Sequence, residues 1–227
     1  MKLTPIACAL ALGLSLSATT PLLAADPPAA TPAPATAAAA TAAAAAAAPA
    51  APQLHTAMRA LWQGHVQHTR AYAIAVKGGN AQAAKKAADD VVSNAKSIAN
   101  AVGGFYGTAA GEQMLTLLGG HWGGVKAMTD AEQAGDTAAV SKAMTDLTAN
   151  ADAIAKFLSG ANPNLPDDAV RGLMMAHVAH HSAQIREIMS GDTQAEATTW
   201  KAMRAHMDVL ADALAGGIAK QFPAKAT

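Results

Sequence analysis

This chain of 227 residues carries 16 lysines and arginines against 16 aspartates and glutamates, so its formal net charge is zero. That balance argues against nucleic-acid binding, which needs a basic face, and gives no support for a polybasic membrane contact. The only cysteine, Cys8, lies in a segment that we expect to be removed on export. Disulfides and thiolate metal sites are therefore excluded from the expected mature protein.

The first 25 residues have the pattern of a secretory signal peptide, with Lys2 followed by an apolar run that begins at Ile6 and then by small residues. The apolar run is too short to anchor the protein in a bilayer. Residues 26–53 are almost entirely alanine, proline and threonine, and they predict a disordered spacer that serves as a tether or a passive tail. We therefore expect a periplasmic or secreted protein with no integral membrane segment after signal cleavage.

Residues 54–227 form one predicted domain, and an internal repeat organises it. His65, His121 and His177 follow one another at intervals of 56 residues. A fixed period of this kind indicates a repeated supersecondary unit. The same offset relates Gly79-Asn80 to Gly135-Asp136 and Gly191-Asp192, and Asn94 to Asn150 and His206.

The sequence pattern of each unit predicts a helical hairpin. Apolar residues recur at helical spacing around each histidine, as in the series Leu61, His65, Tyr72 and Val76 of the first unit. The glycine followed by asparagine or aspartate in each unit is typical of a helix end and an immediate restart. We therefore expect an all-α fold of six helices in three tandem hairpins. The predicted helices cover residues 54–78, 80–102, 108–134, 136–159, 166–190 and 192–221.

The spacing also places one polar pair in each hairpin at matching height. His65 lies fourteen residues before Gly79, and Asn94 lies fourteen residues after Asn80. At about 1.5 Å of rise per residue, both side chains are roughly 21 Å from the turn. The same relation holds in the other hairpins for His121 with Asn150 and for His177 with His206.

These pairs suggest a metal site if the three hairpins pack around a common centre. Imidazole is the commonest metal ligand in proteins, and several at one level suit zinc or copper. The candidate ligands are His65, His121, His177, His181 and His206, where His181 lies one turn after His177. The candidate residues that orient them are Asn94, Asn150, Thr69 and Arg70. Met174, Met203 and Met207 are possible soft ligands, and thioethers would favour copper.

Other interpretations stay open at this point. Each histidine could hydrogen-bond the asparagine of its own hairpin, which would make the layer a buried polar network in a non-enzymatic interaction or structural module. The methionines could simply fill gaps in an alanine-rich core. An enzyme with a buried histidine as general base lacks a positioned partner other than asparagine. We therefore expect a binding protein with an unknown protein or small-molecule partner, and an enzyme is the weakest of the three hypotheses.

Several stretches resemble a known family. Residues 61–70 read LWQGHVQHTR and residues 217–223 read GIAKQFP, and FYG at 105–107 and NADAIAKFL at 150–158 lie between them. Together they resemble a bacterial family of all-helical proteins with an LW-x-x-HV-x-x-TR stretch near the start and GI-x-x-QFP at the end. The resemblance covers nearly the whole domain. It implies a helical fold and supplies no catalytic residues.

Overall fold

The computed structural model describes residues 50–226, and that part of the chain consists of six α-helices without a β-strand. The predicted all-α fold is confirmed. The predicted signal peptide and most of the predicted spacer lie outside the described residues. None of the six helices is long and apolar enough to cross a membrane. The helices are α1 (Pro52–Lys77), α2 (Ala81–Tyr106), α3 (Thr108–Ala134), α4 (Thr137–Ala161), α5 (Asp167–Ser190) and α6 (Thr193–Gln221).

The helices form a closed bundle with three of them at its centre. The odd-numbered helices α1, α3 and α5 contact one another. Each even-numbered helix packs between two of them: α2 against α1 and α3, α4 against α3 and α5, and α6 against α5 and α1. Side chains on the inward faces of α1, α3 and α5 therefore meet in the middle of the bundle.

The turns after α1, α3 and α5 are closed in the same way. Gly79, Gly135 and Gly191 have φ angles of 65°, 70° and 79°, a region that residues with a Cβ atom rarely adopt. The next residue in each turn caps the following helix, because its side chain accepts a hydrogen bond from the backbone N–H three residues later. These capping residues are Asn80, Asp136 and Asp192.

Core positions that lie 56 residues apart are buried together. Val91, Leu147 and Met203 all have 0% exposure, and Ile98, Ile154 and Leu210 have at most 1%. The second helix of each hairpin therefore presents equivalent apolar side chains to the core. Since Met203 occupies the position held by a valine and a leucine in the other two hairpins, its thioether fills core space.

The predicted end of α2 at residue 102 is wrong. The helix continues through Gly103 to Tyr106, and only Gly107, with a φ of 93°, lies outside it. The reason is a close approach between α2 and α3. A Cβ atom on Gly111 would lie 3.0 Å from the carbonyl oxygen of Ala99 and 3.2 Å from Cα of Gly103. Gly103 and Gly111 thus allow α2 and α3 to come into contact. Gly103 lies within α2 and does not end it.

Candidate metal centre

Four histidine side chains meet at the centre of the bundle. His65 comes from α1, His121 from α3, and His177 and His181 from α5. Each of them is at most 2% exposed. One ring nitrogen from each histidine lies within 4.8 Å of those from the other three. This four-histidine cluster could hold a metal ion.

The distances between the four ring centroids are close to those expected for imidazoles around one shared ion. With nitrogens about 2.0–2.1 Å from the ion, tetrahedral imidazoles have ring centroids roughly 5 Å apart and nitrogens roughly 3.3 Å apart. The centroid of His65 lies 5.8, 5.5 and 5.7 Å from those of His121, His177 and His181. His121 lies 5.2 Å from His177 and 5.7 Å from His181, and these last two are 4.4 Å apart. Nitrogen separations of up to 4.8 Å are longer than the roughly 3.3 Å expected on such an ion, so the four side chains would have to close in to bind it.

A spacing of 56 residues relates three members of the cluster, and one helical turn relates the fourth to the third. His65, His121 and His177 occupy equivalent positions on the three central helices. His181 lies one turn after His177 on the same face of α5, and the Nε2 atoms of the two rings are 3.1 Å apart. The positions equivalent to His181 are Thr69 in α1 and Val125 in α3. Only α5 therefore supplies two imidazoles.

Burial keeps these four imidazoles neutral. It lowers the pKa of His65 from 6.5 to about 3, with smaller contributions from His121 and His68. Burial also lowers the pKa of His121 to about 4, although the nearby amide of Asn150 acts in the opposite direction. Burial and the neighbouring imidazoles hold the pKa of His177 and His181 well below 6.5. A neutral imidazole is the form that coordinates a metal.

Several ring nitrogens of the cluster have no hydrogen-bond partner. They are both nitrogens of His65, both nitrogens of His121, and Nδ1 of His177. Every neutral imidazole carries one N–H donor and one acceptor nitrogen, and a buried donor without an acceptor costs about 1–3 kcal/mol. The unpaired nitrogens therefore reduce the free energy of unfolding if the cluster is purely structural. An ion that binds the free lone pairs would offset part of this loss.

The alternative interpretation, in which each histidine bonds the asparagine of its own hairpin, does not match the main contacts of these asparagines. The ring nitrogens of His65 and His121 have no hydrogen-bond partner of normal geometry, although the Asn150 amide lies close enough to raise the pKa of His121. Asn94 Nδ2 donates instead to the backbone carbonyl of Leu61 at 3.0 Å, and Asn150 Nδ2 donates to that of Leu117 at 3.0 Å. His206 makes the equivalent bond, with Nε2 at 2.9 Å from the carbonyl oxygen of Leu173. These side chains tie the second helix of each hairpin to the first, one turn before the cluster histidine.

The small residue that precedes each cluster histidine makes room for this bond. A Cβ atom on Gly64 would lie 2.9 Å from Asn94 Nδ2, and one on Gly120 would lie 3.0 Å from Asn150 Nδ2. The third hairpin has Ala176 at this position, and there the longer histidine side chain makes the bond. His206, which we predicted as a ligand, therefore lies outside the four-histidine cluster and pairs with backbone.

Two of the predicted orienting residues have other partners. The hydroxyl of Thr69 donates to the carbonyl oxygens of His65 and Val66, so it touches the backbone of a cluster residue. Arg70 forms two bonds to Glu196, with Nε at 2.6 Å and Nη2 at 2.8 Å from the carboxylate oxygens, and it lies over the ring of Trp200. The guanidinium thus belongs to an ion pair between α1 and α6.

The three predicted soft ligands are buried in the hydrophobic core. Met174 is 1% exposed, and Met203 and Met207 are 0% exposed. Two further residues that we did not select as site residues are notable in the structure. Glu196 is a buried acid paired with Arg70, and His180 packs against His206 with ring centroids 5.4 Å apart. Both contacts join side chains on different helices. Periodicity within a single helix does not reveal such contacts.

The fold and the cluster define an all-α bundle with four buried histidines that could hold a metal ion. Comparison with models of protein families, with curated proteins and with solved structures found no match. The resemblance of residues 61–70 and 217–223 to a bacterial helical family therefore stays a prediction. The interpretation of the cluster depends on its own geometry.

Proposed function

We propose that this chain is an exported metal-binding protein whose ligands are His65, His121, His177 and His181, and that the metal is copper or zinc. One observation carries the proposal. Four buried, neutral imidazoles each offer one nitrogen within 4.8 Å of the others, and both nitrogens of His65 and of His121 have no hydrogen-bond partner. Such a set of donors fits an ion that prefers nitrogen ligands.

The donor set favours binding over catalysis. Catalytic zinc sites keep one position open for water or substrate, whereas closed sites take four ligands from the protein. Here the protein offers four ligands, and each is at most 2% exposed. An ion held in this way would be shielded from solvent, as in a storage or structural site.

The chemistry of the ligands fits the proposed export. Thiolate sites are vulnerable to oxidation in a periplasm or outside the cell, whereas imidazole is not converted to a disulfide there. The chain offers eight histidines and a single cysteine, which lies in the expected signal peptide. A histidine-only site is therefore suited to the compartment that we propose.

The metal content of the purified mature protein tests the proposal. The protein is loaded separately with Zn²⁺, Cu²⁺ or reduced copper, passed through a desalting column, and analysed for metal. The sharpest variant is His181→Thr, because threonine occupies the equivalent buried position 69 in α1 and is compatible with the packing. We expect one ion per chain in the wild type and a loss of affinity of at least about tenfold in the variant.

His68→Ala is the matched control, since His68 is half-buried, lies near Asp90 and is outside the cluster. It should bind the same amount of metal as the wild type. If the wild type retains none of the three metals after desalting, the proposal is wrong. The cluster would then be a buried polar feature of a structural or interaction module, which is the alternative prediction.

A further inference from the structure

A second pair of histidines lies next to the four-histidine cluster. His180 on α5 and His206 on α6 have ring centroids 5.4 Å apart, and both side chains are half-buried. His180 is adjacent in sequence to His181 and is three residues after His177, both of which belong to the cluster. The pair is thus partly open to solvent and close to two cluster ligands.

The pair has the geometry and the free nitrogens to bind an ion. Two imidazoles on one tetrahedral ion have ring centroids roughly 5 Å apart, close to the observed separation. His206 Nε2 lies 2.9 Å from the carbonyl oxygen of Leu173. Because a carbonyl oxygen only accepts, this Nε2 carries the proton, and Nδ1 keeps its lone pair. The backbone bond thus presets the tautomer of His206 that can bind a metal through Nδ1.

The pair adjoins the cluster along α5, because His180 directly precedes His181 and His206 bonds the carbonyl of Leu173, one turn before His177. His206 contributes to the lowered pKa of His177, and His180 contributes to the lowered pKa of His181. Burial and His206 also lower the pKa of His180, so that His180 favours the neutral form. An ion on this pair would be next to the cluster without yet being enclosed.

We propose that His180 and His206 form an entry site, where a metal ion binds from solvent before it exchanges ligands and moves to the cluster. This inference rests on the proposed function. The cluster ligands are at most 2% exposed, so an ion cannot reach them without some intermediate contact. Each exchange replaces one imidazole nitrogen with another. Because one of the hydrogen-bonded Nε2 atoms of His177 and His181 carries a proton, binding through both would require that proton to move to Nδ1 of the same ring.

The test separates entry from binding. The double variant Ala176→Gly/His206→Asn recreates the arrangement of the first two hairpins, in which asparagine bonds the carbonyl beside a glycine. It keeps the tie between α5 and α6 but removes the metal-binding nitrogen. His180→Gln is the second variant. Loading with Cu²⁺ or Zn²⁺ is followed in a stopped-flow instrument through the fluorescence of the three tryptophans, of which Trp62 has its ring 6.1 Å from that of His65.

We expect both variants to take up metal at least about tenfold more slowly than the wild type while still binding one ion per chain at equilibrium. His68→Ala is the control, because His68 also influences the pKa of a cluster histidine but has no histidine partner at the surface. It should load at the wild-type rate. Unchanged uptake rates in both variants, or slow uptake in the control alone, would overturn the entry site and leave the proposed function intact. If the wild type binds no metal, the proposed function itself fails.

Discussion

The Nε2 atoms of His177 and His181 lie 3.1 Å apart in the centre of the bundle, and neither side chain is more than 1% exposed. Two neutral imidazoles in this position either share one hydrogen bond or share one ion. The separation is close to the roughly 3.3 Å between nitrogens on a tetrahedral zinc ion. Because His65 and His121 approach the same point from other helices, an ion bound here would link all three central helices.

This linkage predicts that the bound metal stabilises the fold. A ligand that binds only the folded protein adds about 2.7 kcal/mol at a free concentration 100 times its Kd, which for a domain of this size raises Tm by roughly 5–10 °C. We expect zinc or copper to raise the Tm of the wild type, measured by circular dichroism, and a chelator to reverse the shift. In His181→Thr the added metal should have little effect on Tm. An equal shift in both proteins would mean that the metal binds elsewhere.

The depressed pKa values predict that the metal-free protein loses stability in mild acid. The pKa of His65 falls from 6.5 to about 3 on folding, and that of His121 falls to about 4. Between these values and pH 6.5 the unfolded chain binds more protons than the folded one, so stability is complete above pH 6.5 and declines as the pH is lowered. The decline is about 1.4 kcal/mol per pH unit for each imidazole.

Urea unfolding at pH 7, 6 and 5 measures this slope. The carboxylates with lowered pKa values, such as Glu196 and Asp212, contribute only nearer pH 4, so this window isolates the histidines. His181→Thr should reduce the slope by about one proton. A stability that is constant from pH 7 to pH 5 would show that the buried rings are protonated in the folded protein, and it would contradict the neutral cluster.

The sequence predicted the cluster better than it predicted the surroundings of the cluster. The 56-residue spacing selected His65, His121 and His177 because equivalent positions on three packed helices meet when the bundle closes. Periodicity along α6 gave no information on whether His206 reaches the centre. Instead, its Nε2 bonds the backbone carbonyl of Leu173 on α5. The partner of a side chain depends on packing between helices, which one helix does not specify.

Gly103 and Gly111 also show that contacts between helices cannot be predicted from the local sequence. In the sequence, Gly103 has the appearance of a helix stop, since glycine is unfavourable within helices. The energetic gain from the contact of α2 with α3 exceeds this local preference. This gain depends on which helix packs against α2. The contacting residue, Gly111, lies eight residues further along the chain in α3, so the local sequence around Gly103 does not reveal it.

This contact makes Gly111→Ala a test of the packing between α2 and α3. The new Cβ atom would lie 3.0 Å from the carbonyl oxygen of Ala99, and a backbone atom cannot rotate away as a side chain can. We expect Gly111→Ala to destabilise the protein by about 1–3 kcal/mol. Gly119→Ala is the control, because nothing lies within 4 Å of its Cβ position. It should stabilise the helix by about 0.5–1 kcal/mol. If chemical denaturation gives both variants the same change, the close approach of the helices is not a feature of the folded protein.

The ion pair between Arg70 and Glu196 should be the most important charged contact in the bundle. The bidentate geometry raises the pKa of Arg70, and hydrogen bonds from Arg70 and Gln184 lower that of Glu196. Removing the carboxylate in Glu196→Ala leaves a partly buried guanidinium and the amide of Gln184 without an acceptor. We expect a loss of about 1–3 kcal/mol in urea unfolding. The pair Lys85–Asp89 on the surface of α2 is the control, and Asp89→Ala should leave the unfolding curve unchanged because both side chains are well exposed. An equal and small effect of the two substitutions would mean that solvent screens the Glu196 pair as well.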